Sequence, residues 1–349
     1  MRVLLTGATG FLGMEVLARL VERDDDVVAV VRASDAAAAQ RRLDATLALV
    51  GARGPAVAVP GDLSEGEPPL PAGRFDAVVH CAASISFTLP LDEARAINVD
   101  GTRRLVDIAR RTGARLVHVS TAYVAGLHGG RFHEDDLDIG QEFRNTYERT
   151  KREAELLVEA ADDVPSAVAR PSIVVGESGT GWTPAFNVLY WPLRAFTRGL
   201  LDPVPAAPTG RVDIVPVDYV ADGIVALLDA DARGTHNLVA SDDALTVDEL
   251  LDVICGHLER PRPTLVDPTD DAGAAGDHAA VYVPYFDVDT VFDATRAHAL
   301  LGPPPAVPSY FGRLVEYAEA ARWGKLEIVR PAPGAAARFR RPADVVRAA

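Results

Sequence analysis

Short aliphatic runs recur through the first half of the chain, and the stretches between them carry apolar residues at helical spacing. Residues 2–6 form one run, Val27-Val28-Ala29-Val30-Val31 a second, and Ala56-Val57-Ala58-Val59 a third. Ala77-Val78-Val79-His80, Leu116-Val117-His118-Val119-Ser120 and Ala167-Val168-Ala169-Arg170 follow. The intervening segments Met14–Glu22, 36–50, 91–112 and 147–161 predict helices. Strands that are apolar throughout, alternating with helices, predict a parallel sheet covered on both faces. Right-handed crossovers then give an α/β fold with a doubly wound sheet.

Beyond about residue 176 the pattern loosens, with prolines at Pro203, Pro205 and Pro208 and again at Pro303, Pro304 and Pro305. Arg211–Val217 predicts a strand, Asp218 a cap for a helix through Leu228, and His236–Val239 a strand returning to the sheet. The expected division is a sheet domain of 1–176 plus about 213–243. A smaller, discontinuous C-terminal substrate lobe takes about 177–212 and 244–330, and 331–349 form a loose tail.

Composition narrows the function classes. The chain of 349 residues is 48% hydrophobic and 24% charged, which suits a well-packed protein. A net charge of -15 argues against nucleic acid as a partner, since that needs a positive footprint. Cys81 and Cys255 are too few for a disulfide framework or a four-ligand zinc site. No signal peptide opens the chain and no apolar run is long enough for a membrane span, so a cytoplasmic location is expected. His80, His118, His128 and His133 lack metal-ligand spacing, so no metal is expected; His80 and His118 read as strand-end packing. Asp24-Asp25-Asp26 and Glu134-Asp135-Asp136 read as solvated turns.

The first chemistry lies between strand one and helix one, in Gly7-Ala8-Thr9-Gly10-Phe11-Leu12-Gly13. Glycines three apart there allow a tight turn and close approach of a pyrophosphate to the N-terminus of the helix. Within a strand–turn–helix–strand unit this predicts a Rossmann dinucleotide site. The second strand ends in Val31-Arg32-Ala33-Ser34, without the acidic residue that binds a ribose 2'-hydroxyl. Arg32, with Arg41 and Arg42 one helix later, suits a 2'-phosphate, so NADPH is expected ahead of NADH. Asp35 lies past the strand end.

The second chemistry is Tyr147-Glu148-Arg149-Thr150-Lys151, which puts a phenol and an ammonium one helical turn apart on one face. An adjacent ammonium favours phenolate and fits the phenol for proton transfer. A strand ending in Ser120-Thr121 precedes it, at the sheet edge where ligands bind.

Taken in order, these pieces resemble an extended short-chain dehydrogenase/reductase. The matching strings are Thr6–Gly13, Gly61-Asp62-Leu63, His80-Cys81-Ala82-Ala83, Asn98-Val99-Asp100-Gly101-Thr102, Val119-Ser120-Thr121, Tyr147 to Lys151 and Arg170-Pro171-Ser172, over about 1–240. Ser86-Phe87-Thr88-Leu89-Pro90-Leu91, Lys151-Arg152-Glu153-Ala154-Glu155 and Val212–Val220 are similar to the thioester-reductase and fatty acyl-CoA reductase branch. The resemblance implies a catalytic set of Thr121, Tyr147 and Lys151. It implies a cofactor site of Gly7, Thr9, Gly10, Phe11, Leu12, Gly13, Arg32, Arg42, Asp62, Leu63, Ala82, Ala83, Pro171 and Ile173, with Tyr147 and Lys151 also touching the cofactor. It further implies an acyl thioester substrate on coenzyme A or on a carrier protein in trans, reduced to aldehyde or onward to alcohol. Residues 186–196 are a candidate wall for the acyl group, or equally an amphipathic helix that simply packs.

Three other readings share parts of these strings: a sugar-nucleotide epimerase or dehydratase, a steroid or alcohol dehydrogenase, and a cofactor-sensing protein without catalysis. Arg32 speaks against the first and the intact Thr121–Tyr147–Lys151 set against the last. Monomer and dimer both remain open.

Overall fold

The structure is a computed structural model that describes residues 1–186, 188–199, 202–267 and 282–331. Seven parallel strands form its centre: β1 (Arg2–Thr6), β2 (Asp26–Val31), β3 (Ala56–Pro60), β4 (Ala77–His80), β5 (Arg115–Val119), β7 (Ser166–Pro171) and β12 (Gly234–Leu238). Their order across the sheet is β12-β7-β5-β4-β1-β2-β3. The direction of winding reverses between β1 and β4, which pair in register with Thr6 opposite His80. A crevice opens beyond the carboxyl ends of such a pair, and ligands bind there.

Both faces of the sheet are covered. α1 (Phe11–Glu22), α2 (Ala36–Leu49) and α7 (Val217–Asp229) bury Val16, Leu17, Leu43, Ile224 and Leu227 against one face. α4 (Gly101–Thr112) and α5 (Thr146–Glu159) bury Leu105, Ile108 and Val158 against the other. The predicted helix over 91–112 is helical throughout but not uniform. α3 (Leu91–Arg95) runs into a wider π-type turn over Ala96–Asp100 and then into α4.

A second core packs on the carboxyl edge of the sheet. It draws on β6 (Gly130–Phe132), β8 (Ile173–Val175), α6 (Tyr190–Thr197), β9 (Val204–Pro205), β10 (Arg211–Val212), β11 (Ile214–Pro216), β13 (Leu245–Thr246), α8 (Val247–Leu258) and β14 (Leu265–Val266). β15 (Thr290–Phe292) and α10 (Val307–Ala320) complete it, while α9 (Thr295–Leu301) packs near β12 and α7. The short strands pair locally, β8 with β11 and β6 with β15.

Several local expectations change. The strand predicted over 211–217 breaks at Asp213, which is buried. Its carboxylate accepts from Ser172 Oγ at 2.6 Å and from the N–H groups of Ala240 and Ser241 at 2.9 and 3.0 Å. Asp218 does not cap α7; its carboxylate instead accepts from Ser178 N and Oγ, at 2.8 and 2.5 Å. Glu134 is no solvated turn residue. It is buried and accepts from the N–H groups of Asn237, Arg296 and Ala297 at 3.0, 2.7 and 3.2 Å, tying the start of α9 to β12. Asp25 is likewise buried, with Arg23 at 3.3 Å. Asp213 and Glu134 in particular are carboxylates holding backbone N–H groups of distant segments. Asn187 and most of the predicted tail lie outside the described residues.

Candidate functional site

The glycine turn sits at the winding reversal. Gly7 has φ +75°, and a Cβ there would lie 2.6 Å from the Ala82 nitrogen, so β1 and β4 emerge in contact. A Cβ on Gly13 would lie 2.0 Å from the Gly7 carbonyl oxygen. Only glycine permits this crossing of helix and turn. α1 begins after Gly10 with no side chain capping its first N–H groups. Its open, positively polarised end fits a dinucleotide pyrophosphate. Thr9, Phe11 and Leu12 are half-buried around it, and Thr6 Oγ1 lies 3.3 Å from the Ala82 nitrogen it accepts from.

At the end of β2, Arg32 is exposed and its carbonyl accepts from the Arg42 guanidinium. Asp35 is the N-cap of α2: its carboxylate accepts from Ala38 N at 2.8 Å and from Ser34 Oγ at 3.0 Å. Asp62 lies across from Arg32. Ser64 donates to it from Oγ at 2.7 Å and from its N–H at 2.9 Å, and these bonds, with the Arg32 charge, hold its carboxyl below the usual range. Leu63 is buried beside it, and Ala83 is half-buried beyond Ala82.

The predicted catalytic residues come together, but not in the predicted protonation pattern. Thr121 follows β5, and its hydroxyl lies 3.4 Å from the carbonyl of Pro171 at the end of β7. Ile173 lies just past that point, buried in the second core. Tyr147 occupies the first turn of α5, with the Thr121 hydroxyl beside its phenol. Burial pushes that phenol up to about 12, and the neighbouring Thr121 hydroxyl only partly offsets this. The sequence argument expects the reverse. The physical reason is the direction of Lys151, whose ammonium donates to the Val119 carbonyl at 2.7 Å and stands 3.4 Å from His118 Nε2. Burial lowers Lys151 to about 8.

Three further groups adjoin the site, of which the sequence reading named His80 and His118 only as strand-end packing and Asn98 and Phe87 only within matching strings. His118 touches Lys151, and its ring lies 5.2 Å from that of His80, which joins Thr6 Oγ1 at 2.8 Å and Thr102 Oγ1 at 3.1 Å. Burial and the Lys151 charge lower His80 to about 3. Asn98, in the π-type turn, donates to the Ser84 carbonyl at 3.1 Å and to Thr150 Oγ1 at 3.0 Å, and accepts from Ser84 N at 2.7 Å. An aromatic cluster reaches Tyr147 through Phe87, which lies 5.8 Å from it and stacks on Tyr285 at 5.1 Å. Tyr285 Oη in turn donates to Glu148 at 2.7 Å. Sequence separations of up to 137 residues leave no local signal for such contacts.

A family model described as male sterility protein matches residues 5–224. The chain belongs to this family. The male sterility match spans both the glycine turn and the Thr121–Tyr147–Lys151 set. A linear gramicidin synthase of Brevibacillus parabrevis is 32% identical over 64% of the chain, and isonitrile lipopeptide synthase of Streptomyces coeruleorubidus 34% over 65%. The chain spans only 5% and 16% of those two proteins. Among solved structures, the terminal R domain from the myxalamid PKS-NRPS biosynthetic pathway superposes with TM-score 0.78 at 25% identity, over 94% of this chain and 92% of that one. The fold of this family member is thus that of the extended short-chain dehydrogenase/reductases, and no helix among the described residues is long and apolar enough to cross a membrane.

Proposed function

We propose that this chain reduces an acyl thioester, carried by coenzyme A or by a carrier protein in trans, to an aldehyde and a free thiol. NADPH is the preferred cofactor, and a second reduction can yield the alcohol. One observation carries the reading: the Tyr147 phenol and the Thr121 hydroxyl adjoin each other at the sheet edge, beside an uncapped glycine turn. The similarity to synthetases and to a terminal R domain supports it.

The residues divide the work as follows. Gly7, Thr9, Gly10, Phe11, Leu12 and Gly13 would hold the pyrophosphate, Asp62 and Leu63 the adenosine end, and Ala82, Ala83, Pro171 and Ile173 the nicotinamide end. Arg32 and Arg42 would face a 2'-phosphate, because Asp35 is engaged as a helix cap. When bound, the reduced cofactor supplies hydride. An acyl carbonyl oxygen inserted between Thr121 and Tyr147 receives a hydrogen bond from each, which stabilises negative charge as it develops there. The phenol, held neutral by burial, then passes its proton to that oxygen. The resulting thiohemiacetal expels the thiol and becomes the aldehyde. Lys151 keeps a positive charge one helical turn from the phenol and would contact the nicotinamide ribose.

The test uses an acyl-coenzyme A with NADPH or NADH, following nicotinamide absorbance and free thiol together. One thiol should appear per first NADPH consumed, with NADH the poorer donor. Tyr147→Phe should lower kcat by about 10²- to 10⁴-fold. Oxidation of a simple alcohol with NAD, without thioester turnover, would sink the proposal.

A further inference from the structure

We propose that His118 is a positioning residue for the reaction, its Nε2 being the acceptor that aims the Lys151 ammonium; where it concerns turnover, the inference rests on the reductase reading above. Thr6, His80 and His118 stand side by side on β1, β4 and β5, in register across the sheet, and all three are buried. Both nitrogens of His80 are taken, by Thr6 Oγ1 and Thr102 Oγ1. Those of His118 are not. Nε2 stands 3.4 Å from Lys151 Nζ, and Nδ1 is buried with no hydrogen-bond partner among the described residues. An ammonium only donates, so Nε2 accepts and the proton of the neutral ring sits on Nδ1. A buried N–H left unpaired is a cost to the fold. What the ring supplies in return is an acceptor for Lys151.

The other titratable neighbours of Lys151 are committed elsewhere. They are Tyr147 and Glu155 on its own helix, and His80 and Cys81 at the end of β4. The Tyr147 phenol adjoins Thr121. The Glu155 carboxylate accepts from Arg170 at 2.7–3.0 Å. Burial keeps the Cys81 thiol protonated, pushed up to about 12. The ammonium thus has two fixed acceptors, both on β5: the Val119 carbonyl at 2.7 Å and His118 Nε2 at 3.4 Å. Its third N–H is left for the nicotinamide ribose of the reading above. With one acceptor gone, the flexible four-carbon stem can pivot about the other. The loss also disfavours the charged form, because a hydrogen bond accepted from an ammonium favours the ammonium over the amine.

Lysine is rare enough in this chain to be watched directly, since Lys151 and Lys325 are its two lysines. Carbon-13 at the lysine ε position therefore gives two side-chain resonances by NMR, and Lys325→Arg assigns them. In the wild type the Lys151 resonance should titrate near 8. In His118→Leu its midpoint should fall by about one pH unit. His118→Asn, whose amide ends short of Nε2, should behave like His118→Leu. His118→Gln places an amide oxygen where Nε2 stood and should titrate with the wild type. With an acyl-coenzyme A and NADPH, the alkaline limb of kcat/KM should move to lower pH in the first two variants and stay in place in the third. A purely structural role would lower the rate at every pH alike and leave the limb where it is. If His118→Leu fails to fold, the two amide variants, both polar, carry the same comparison. Equal midpoints throughout, or a His118→Gln midpoint as low as that of His118→Asn, overturn the proposal. Displaced midpoints with an unmoved limb overturn the part of His118 in the reaction. Absence of all thioester turnover overturns the reductase reading alone, and the Lys151 titration still decides whether His118 holds the ammonium.

Discussion

At Lys151 burial and charge pull in opposite directions. Removal from water lowers its ammonium to about 8, although Glu155 acts to raise it. The ammonium keeps hydrogen bonds to Val119 O and toward His118 Nε2, so that nitrogen must accept and the His118 ring is neutral. Burial first, and the Lys151 charge second, hold His118 well below the usual histidine range. A lysine depressed in the folded chain binds fewer protons there than when unfolded. Its unfavourable contribution is fully present below about 8 and is relieved as pH rises toward the ordinary value of 10.5. Compared with Lys151→Met, the wild type should therefore gain stability between those two values. Urea midpoints of both proteins across that window check this, and parallel curves would refute it. The rate should also fall on the alkaline side as the ammonium is lost near 8. The Tyr147–Lys151 spacing was readable because one helical turn relates them. The direction in which Lys151 reaches was not, because it depends on the end of β5.

The element that carries most consequence is the helix from Leu91 to Thr112. Apolar spacing of 3.6 residues reads through its middle without interruption, so the sequence predicts a single rod. The π-type turn at Ala96–Asp100 adds a residue to one turn, which the apolar spacing does not register. Its effect is to present Asn98, 1% exposed, to two neighbours at once. One is Ser84, in the segment after β4; the other is Thr150, next to Lys151 on α5. Thr102 Oγ1 donates back to the Asn98 carbonyl at 2.6 Å and meets His80, so the turn also leads to the buried histidines. Asn98→Leu keeps the volume but strands the Ser84 N–H and carbonyl. The expected cost is about 1–3 kcal/mol for each buried group left unpaired. Turnover should drop as well, because the segment bearing Ala82 and Ala83 is no longer fixed against α5. Denaturation and kcat, measured well below the unfolding temperature, test both, and a variant normal in both would contradict the role given to Asn98.

For the molecule as a whole, the sheet and its winding were legible because Val-rich runs alternate with helices and the crossovers have one hand. The second core was much less so. Its strands are two or three residues long, as at Val204–Pro205 and Leu245–Thr246, and such lengths hold no period. What binds the parts is a set of buried polar links between distant segments. The deepest is Glu155 with Arg170: both side chains are 1% exposed, with Nε and Nη2 donating to the carboxylate at 2.7–3.0 Å. Arg170 also lies over the Phe132 ring at 5.4 Å, which adds β6 to the link. The pair fixes the end of β7, whose Pro171 carbonyl meets Thr121, to the helix that carries Tyr147. Desolvation makes such a pair a weak net stabiliser, yet its halves depend on each other. Glu155→Gln leaves a buried guanidinium without a counter-charge and should cost about 3–5 kcal/mol. Glu155→Leu combined with Arg170→Met removes both charges and should recover most of that loss. Urea unfolding of the single and double variants decides between these outcomes. If Glu155→Gln cost no more than an ordinary surface change, within about 0.5 kcal/mol, the pair would not be the joint between sheet and catalytic helix.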